Sequence, residues 1–210
     1  MCGRFAAATP PDELARYFAV HEVAETLREP RYNVAPTDDV AVVVERDATR
    51  RLDLFHWGFV PFWADDRSIG NRMINARAEG LSDSNAFRRA FERRRCLVPA
   101  DGFYEWRKVA GQRRKQPVFI RRADGEPMAM AGLWEVWTAK GDDTAPLYTC
   151  TIITGDPNDL VAPIHDRMPV ILPPSAWDEW LDRQNSDVDA LQRLLVPAPS
   201  EVLTAWSVGT

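Results

Sequence analysis

The chain opens MCGRF, with a cysteine directly behind the initiator methionine. Aminopeptidases remove that methionine when the second side chain is small, so the mature chain is expected to begin at Cys2. A terminal cysteine carries an amine and a thiol on adjacent carbons, two nucleophiles where an internal cysteine has one. The α-amino group titrates at about 7.7–8.0, so a useful fraction is neutral at pH 7. A neutral amine attacks an aldehyde to give a Schiff base. The neighbouring thiol can then close onto the same carbon as a five-membered thiazolidine ring. The same terminus could instead serve an N-terminal-nucleophile hydrolase, with the thiol attacking an acyl carbon. A small, buried, inert thiol is the third reading.

Either chemistry needs partners that move protons. GFYEW places Glu105 in a stretch otherwise apolar and aromatic, where a carboxyl group can exchange protons near neutrality. The competing reading is an outward-facing strand residue. PIHDRMP supplies His165, one of three histidines, between Asp166 and two prolines in an expected loop. INARAE supplies Asn75 and Arg77, which share one face if the segment is a strand. An asparagine can hold a hydroxyl or carbonyl, and an arginine a phosphate.

These residues need a scaffold. VAVVVE and RLDLFHW read as a β-hairpin, and GFYEW and QPVFIRR as strands around a basic turn. PMAMAGLWEVW, LYTCTIITG and VLTAWSV read as further strands. TPPDELARYF reads as a helix capped by Thr9, and SNAFRRAFERRRC as a helix capped by Ser84 with its arginines on the solvent side. Short helices are expected over DPNDLVAPI, PSAWDEWLD and DVDALQRLL. Strands in bulk, without βαβ alternation, predict a single α+β domain over residues 1–210. Its sheet should be mostly antiparallel and curved toward a barrel.

Composition narrows the function. No apolar run approaches the ~20 residues of a membrane span, and the N-terminus lacks a signal-peptide pattern. A cytoplasmic chain is expected. Three cysteines without a CxxC suggest neither a disulfide framework nor a zinc ribbon, and no glycine loop for phosphate is visible. No metal or cofactor is expected, and Cys96 and Cys150 read as packing residues. The net charge of -5 conceals an asymmetry. Residues 67–122 hold fifteen Lys/Arg against five Asp/Glu, whereas residues 126–210 hold four against thirteen. The bland account is that charges cluster on solvated faces.

Taken together, MCGRF, RYNVAP, WGFVPFWA, INARAE, FRRAFERRRCLVPADGFYEW, KQPVFI, AGLWE and IHDRMPVIL follow one another in order. This succession resembles the SRAP family, the SOS-response-associated peptidase domain, over most of the chain. The resemblance implies a barrel-like SRAP fold. It also implies recognition of abasic sites in single-stranded DNA, and a covalent thiazolidine crosslink between Cys2 and the ring-opened deoxyribose aldehyde. The family's catalytic positions fall on Cys2, Asn75, Glu105 and His165. Arg4 and Arg77 correspond to phosphate ligands, Trp63 and Trp106 to aromatic DNA contacts, and Asn33 and Pro36 to neighbours of the site. The implied partner is abasic single-stranded DNA, bound by a monomer that joins the nucleoid through it. Residues 67–122 would line the groove and the acidic tail would lie away from it. Two other readings stay open: a cysteine-type peptidase acting on its own N-terminus, and a non-covalent single-strand binder with an incidental cysteine.

Overall fold

The computed structural model describes residues 2–25, 30–141 and 145–209, so Met1 lies outside the described residues. The chain runs β1 (Phe5–Ala7), α1 (Pro11–Tyr17), β2 (Glu22–Val23), β3 (Arg31–Val34), β4 (Asp39–Arg46), β5 (Thr49–Trp57), β6 (Asn75–Arg77) and α2 (Arg88–Arg93). Then follow β7 (Arg95–Ala100), β8 (Gly102–Arg107), β9 (Gln116–Arg122), β10 (Met128–Trp137) and β11 (Leu147–Gly155). The chain finishes with β12 (Met168–Pro169), α3 (Trp177–Leu181), α4 (Val188–Arg193) and β13 (Leu203–Ser207). Strands dominate and helices are short, as the α+β expectation has it. No helix among the described residues is long and apolar enough to cross a membrane.

Strand alternation organises two apolar clusters. Val40, Val42 and Val44 of β4 point to one, and Val43 points to the other. The β4–β5 turn holds Asp47 and Ala48 at φ of 53° and 56°, the left-handed pair that a type I′ hairpin turn needs. β10 pairs with β7 and β11, β7 pairs with β4, and β5 returns to β11 in parallel through His56 opposite Thr149. These pairings close a five-stranded barrel from β4, β5, β11, β10 and β7. A second sheet, ordered β13-β9-β8-β1-β3, packs Phe5, Phe103, Val118 and Ile120 into the first cluster. Leu14, Phe91, Trp177 and Trp180 of the helices belong to the second cluster. Apart from the parallel β2, β6 and β11 contacts with their neighbours, the pairing is antiparallel, as expected.

Gly132 of β10 is where the first cluster is tightest. A Cβ there would lie 2.8 Å from the Thr151 carbonyl oxygen and 2.9 Å from Cys96 Sγ. The carbonyl is backbone and cannot rotate away. Gly132→Ala is therefore expected to destabilise the fold by about 1–3 kcal/mol, read as a lower urea midpoint at unchanged slope.

Several local expectations are corrected. Thr9 does not cap α1, whose N-cap position is Pro10. Asp101 has captured Thr9 instead, accepting from its hydroxyl and its N–H. Ser84 caps only the turn before α2, accepting from Phe87 N–H at 3.4 Å. That helix ends at Arg93, and Arg95 is fully buried rather than solvated. Its guanidinium donates to the carbonyls of Phe91, Glu92, Trp180, Asp182 and Asn185. Arg94 pairs with buried Glu135. Two of the five arginines in this run are thus structural. DPNDLVAPI forms turns, not a helix. The Asn158 side chain accepts from Val161 N–H and donates to Ala198 O, which offers the backbone an alternative to helix.

Candidate functional site

β8 carries the first half of the site. Phe103 packs into the core cluster, so alternation sends Glu105 the same way and Tyr104 and Trp106 to the opposite face. β1 lies antiparallel to β8 with Phe5 opposite Phe103, and Tyr104 N–H donates to Arg4 O at 2.9 Å. Continued toward the N-terminus, this register brings Gly3 opposite Glu105 and delivers Cys2 beside that carboxyl group. Both are buried, Cys2 at 0% and Glu105 at 2% exposure.

Burial governs their protons. It pushes the Glu105 carboxyl up to about 7. It drives the Cys2 thiol far above its ordinary range, with the nearby Glu105 charge adding to the effect. A thiol so held stays protonated and unreactive toward casual oxidants until a base removes its proton. Glu105 is the carboxyl group placed to do so.

The second half hangs on the C-terminal end of β11. β6 pairs along it in parallel, Ile152 with Asn75 and Thr154 with Arg77. β12 pairs on it too, Thr154 with Pro169 and Gly155 with Met168. INARAE and IHDRMP therefore meet at one strand end, with β6 anchored by Trp57 Nε1–H on the Ile74 carbonyl at 2.9 Å. An ion pair locks the two motifs together. Arg167 donates to both Glu79 carboxylate oxygens at 2.9 and 2.8 Å, and to Thr154 O at 2.7 Å. The sequence reading assigned neither Glu79 nor Arg167, although their opposite charges in the two motifs were a signal.

The Arg167 N–H donates to His165 Nδ1 at 3.0 Å, which leaves the proton of the neutral ring on Nε2. That nitrogen faces Glu105 Oε2 at 3.9 Å. Burial holds His165 below its usual value and favours the neutral form. Asp166, 2.9 Å from Nδ1, opposes this weakly from an exposed position. Asn75 donates from Nδ2 to Ile152 O at 3.4 Å, and its Oδ1 is buried without a hydrogen-bond partner among the described residues. A buried amide oxygen in that condition points to a donor supplied from outside.

The remaining candidates surround this group. Arg4 donates to Asn33 Oδ1 at 3.0 Å, which joins two of them directly. Pro36 is half-buried just beyond β3, and Arg77 is exposed at the end of β6. Trp63 is 47% exposed on a turn fixed by Trp137 Nε1–H on Ala64 O. Trp106 is half-buried on the far face of β8 and does not share the Cys2 side. Lys115, also unassigned by the sequence reading, lies close enough for its charge to act on both Glu105 and His165.

A sequence profile of the family described as SOS response associated peptidase (SRAP) matches residues 1–210. The chain belongs to the SRAP family. Among its SRAP relatives, the abasic site processing protein YoqW of Bacillus subtilis is 42% identical, covering 100% of this chain and 93% of that protein. The abasic site processing protein YedK of Escherichia coli is 34% identical over 90% of this chain and 83% of its own length. A crystal structure of a protein from Bacteroides thetaiotaomicron superposes with a TM-score of 0.90 at 27% identity, covering 99% of this chain and 92% of that one. The barrel with its added sheet is therefore the SRAP fold.

Proposed function

We propose that this chain binds and processes abasic sites in single-stranded DNA by crosslinking to them through Cys2. The observation that carries the reading is the grouping of a buried Cys2, a Glu105 that titrates near neutrality and a His165 whose Nε2 proton faces it. The names of the relatives, abasic site processing proteins, support the substrate class.

The steps follow from the groups. An abasic deoxyribose rests as a ring and reacts as an open aldehyde. His165 Nε2–H donates its proton to the ring oxygen as the ring opens at C1′. Once Met1 is gone, the neutral Cys2 amine adds to C1′ and water leaves, giving a Schiff base. Glu105 takes the proton released by the amine and then that of the thiol. The sulfur closes on C1′ and the imine nitrogen regains a proton. The sum is protein plus DNA less one water. Asn75 Oδ1 holds a sugar hydroxyl or the Cys2 amine, while Arg4 and Arg77 meet flanking phosphates.

Intact-mass measurement of the protein mixed with an abasic oligonucleotide tests this. Loss of Met1 and an adduct equal to the two masses less one water are expected. Equal non-covalent binding of intact and abasic strands, without any adduct, would refute it.

A further inference from the structure

The second sheet is covered on one face only. Its other face carries a band of aromatic rings that neither the core nor the proposed chemistry uses. Phe119 of β9 lies at its centre, 4.8 Å from the Tyr104 ring and 5.3 Å from the Trp206 ring. Trp206 stands opposite Phe119 in the β13–β9 register and is 44% exposed. Trp106 shares the face through its β8 alternation. Part of this band has a structural purpose. A Cβ on Gly102 would meet Phe119 Cζ at 2.4 Å, so the Phe119 ring covers that glycine. That purpose does not extend to Trp206, which sits one strand further out.

Charge identifies an occupant. From Trp106 to Arg122 the chain holds seven Lys/Arg and no Asp/Glu. Arg107, Lys108, Arg113, Arg114 and Lys115 of the β8–β9 hairpin are all exposed. A basic rim beside a row of ring faces is the pattern of a stacking platform for single strands. The band also continues from the catalytic group, because Trp106 follows Glu105 on the same strand.

We propose that the single strand flanking the lesion crosses the outer face of the second sheet, stacking bases on Trp106, Phe119 and Trp206 while the β8–β9 hairpin holds its phosphates. The proposal rests on the reading of the chain as a single-strand binder, and adds the path that the strand takes beyond the lesion.

Fluorescence anisotropy with an intact strand of about 20 nucleotides reads the platform without any covalent step. Trp206→Ala should weaken binding roughly 5- to 30-fold, and Trp206→Phe should restore most of it. Arg113→Glu with Arg114→Glu, on an exposed turn, should weaken it further and reduce the salt slope by about 2. An abasic strand of about 5 nucleotides, with the lesion at its centre, is too short to reach Trp206, so its crosslinking by Trp206→Ala should match that of the parent protein. Unchanged binding of the long strand by both variants would overturn the proposal and leave the aromatic band to a protein partner. An equal loss on long and short strands would also overturn it, as a defect of the fold. Failure of the parent protein to crosslink either abasic strand would instead count against the proposed chemistry, with the intact-strand affinities still deciding the platform.

Discussion

Cys2→Ala is expected to abolish the heat-stable adduct with an abasic oligonucleotide, by at least about 100-fold on a denaturing gel. The residue at position 2 stays small, so Met1 should still be removed and the amine should still be present. That amine can form a Schiff base with the aldehyde. Without the thiol it cannot close a ring, and the imine hydrolyses on heating. Borohydride reduction before heating should therefore recover a product from Cys2→Ala that is otherwise invisible. The contrast separates the two nucleophiles of one residue. A heat-stable adduct formed by Cys2→Ala without reduction would remove the thiol from the reaction and with it the thiazolidine.

Glu105→Gln is expected to slow crosslinking by about 10²–10³-fold while leaving affinity for the abasic strand within a few-fold. Glutamine keeps the shape and one hydrogen-bond acceptor but cannot take a proton. The pH dependence makes the assignment sharper. In the parent protein the working carboxylate forms as pH rises through about 7, so the rate should climb over that interval. The variant should keep only the rise that belongs to the Cys2 amine, at about 7.7–8.0. Equal losses of rate and affinity would argue against a proton-transfer role.

The same group affects stability, with a definite sign. Glu105 is neutral in the folded state up to about 7, whereas a carboxyl group in the unfolded chain ionises at about 4.3. Between those values the folded state binds more protons, so its stability falls as pH rises and levels off above about 7. Glu105→Gln removes this cost. The variant should melt at a higher temperature than the parent protein at pH 8, and the gap should narrow toward pH 5. A gain in stability together with a loss of rate is what a destabilising catalytic group produces.

Much of the site was legible before any fold was known. A cysteine at position 2 is chemically distinct whatever surrounds it, because its nitrogen becomes an amine when Met1 leaves. The alternation of GFYEW put Glu105 and its aromatic neighbours on opposite faces, and the hairpins followed from period-two patterns and turn residues. These are local properties, carried by a residue and its nearest neighbours along the chain. Local reasoning also erred locally. Thr9 looked like a helix cap because Asp101, far away in sequence, was not in view. Arg95 looked solvated because its five carbonyl partners come from separate segments of the chain.

Only the tertiary structure decided which side of each strand meets the core, and that set the chemistry. Closure of the barrel by the parallel pairing of β5 with β11 depends on contacts between distant segments, which no periodicity encodes. The same is true of the Glu79–Arg167 pair that brings His165 to Glu105. Burial is a property of the assembled fold, and burial is what moves the Glu105 carboxyl toward 7 and keeps the Cys2 thiol protonated. The sequence by itself determined which atoms are able to react. The fold determined which protons they hold and what they face, because desolvation and proximity arise only when remote segments pack together.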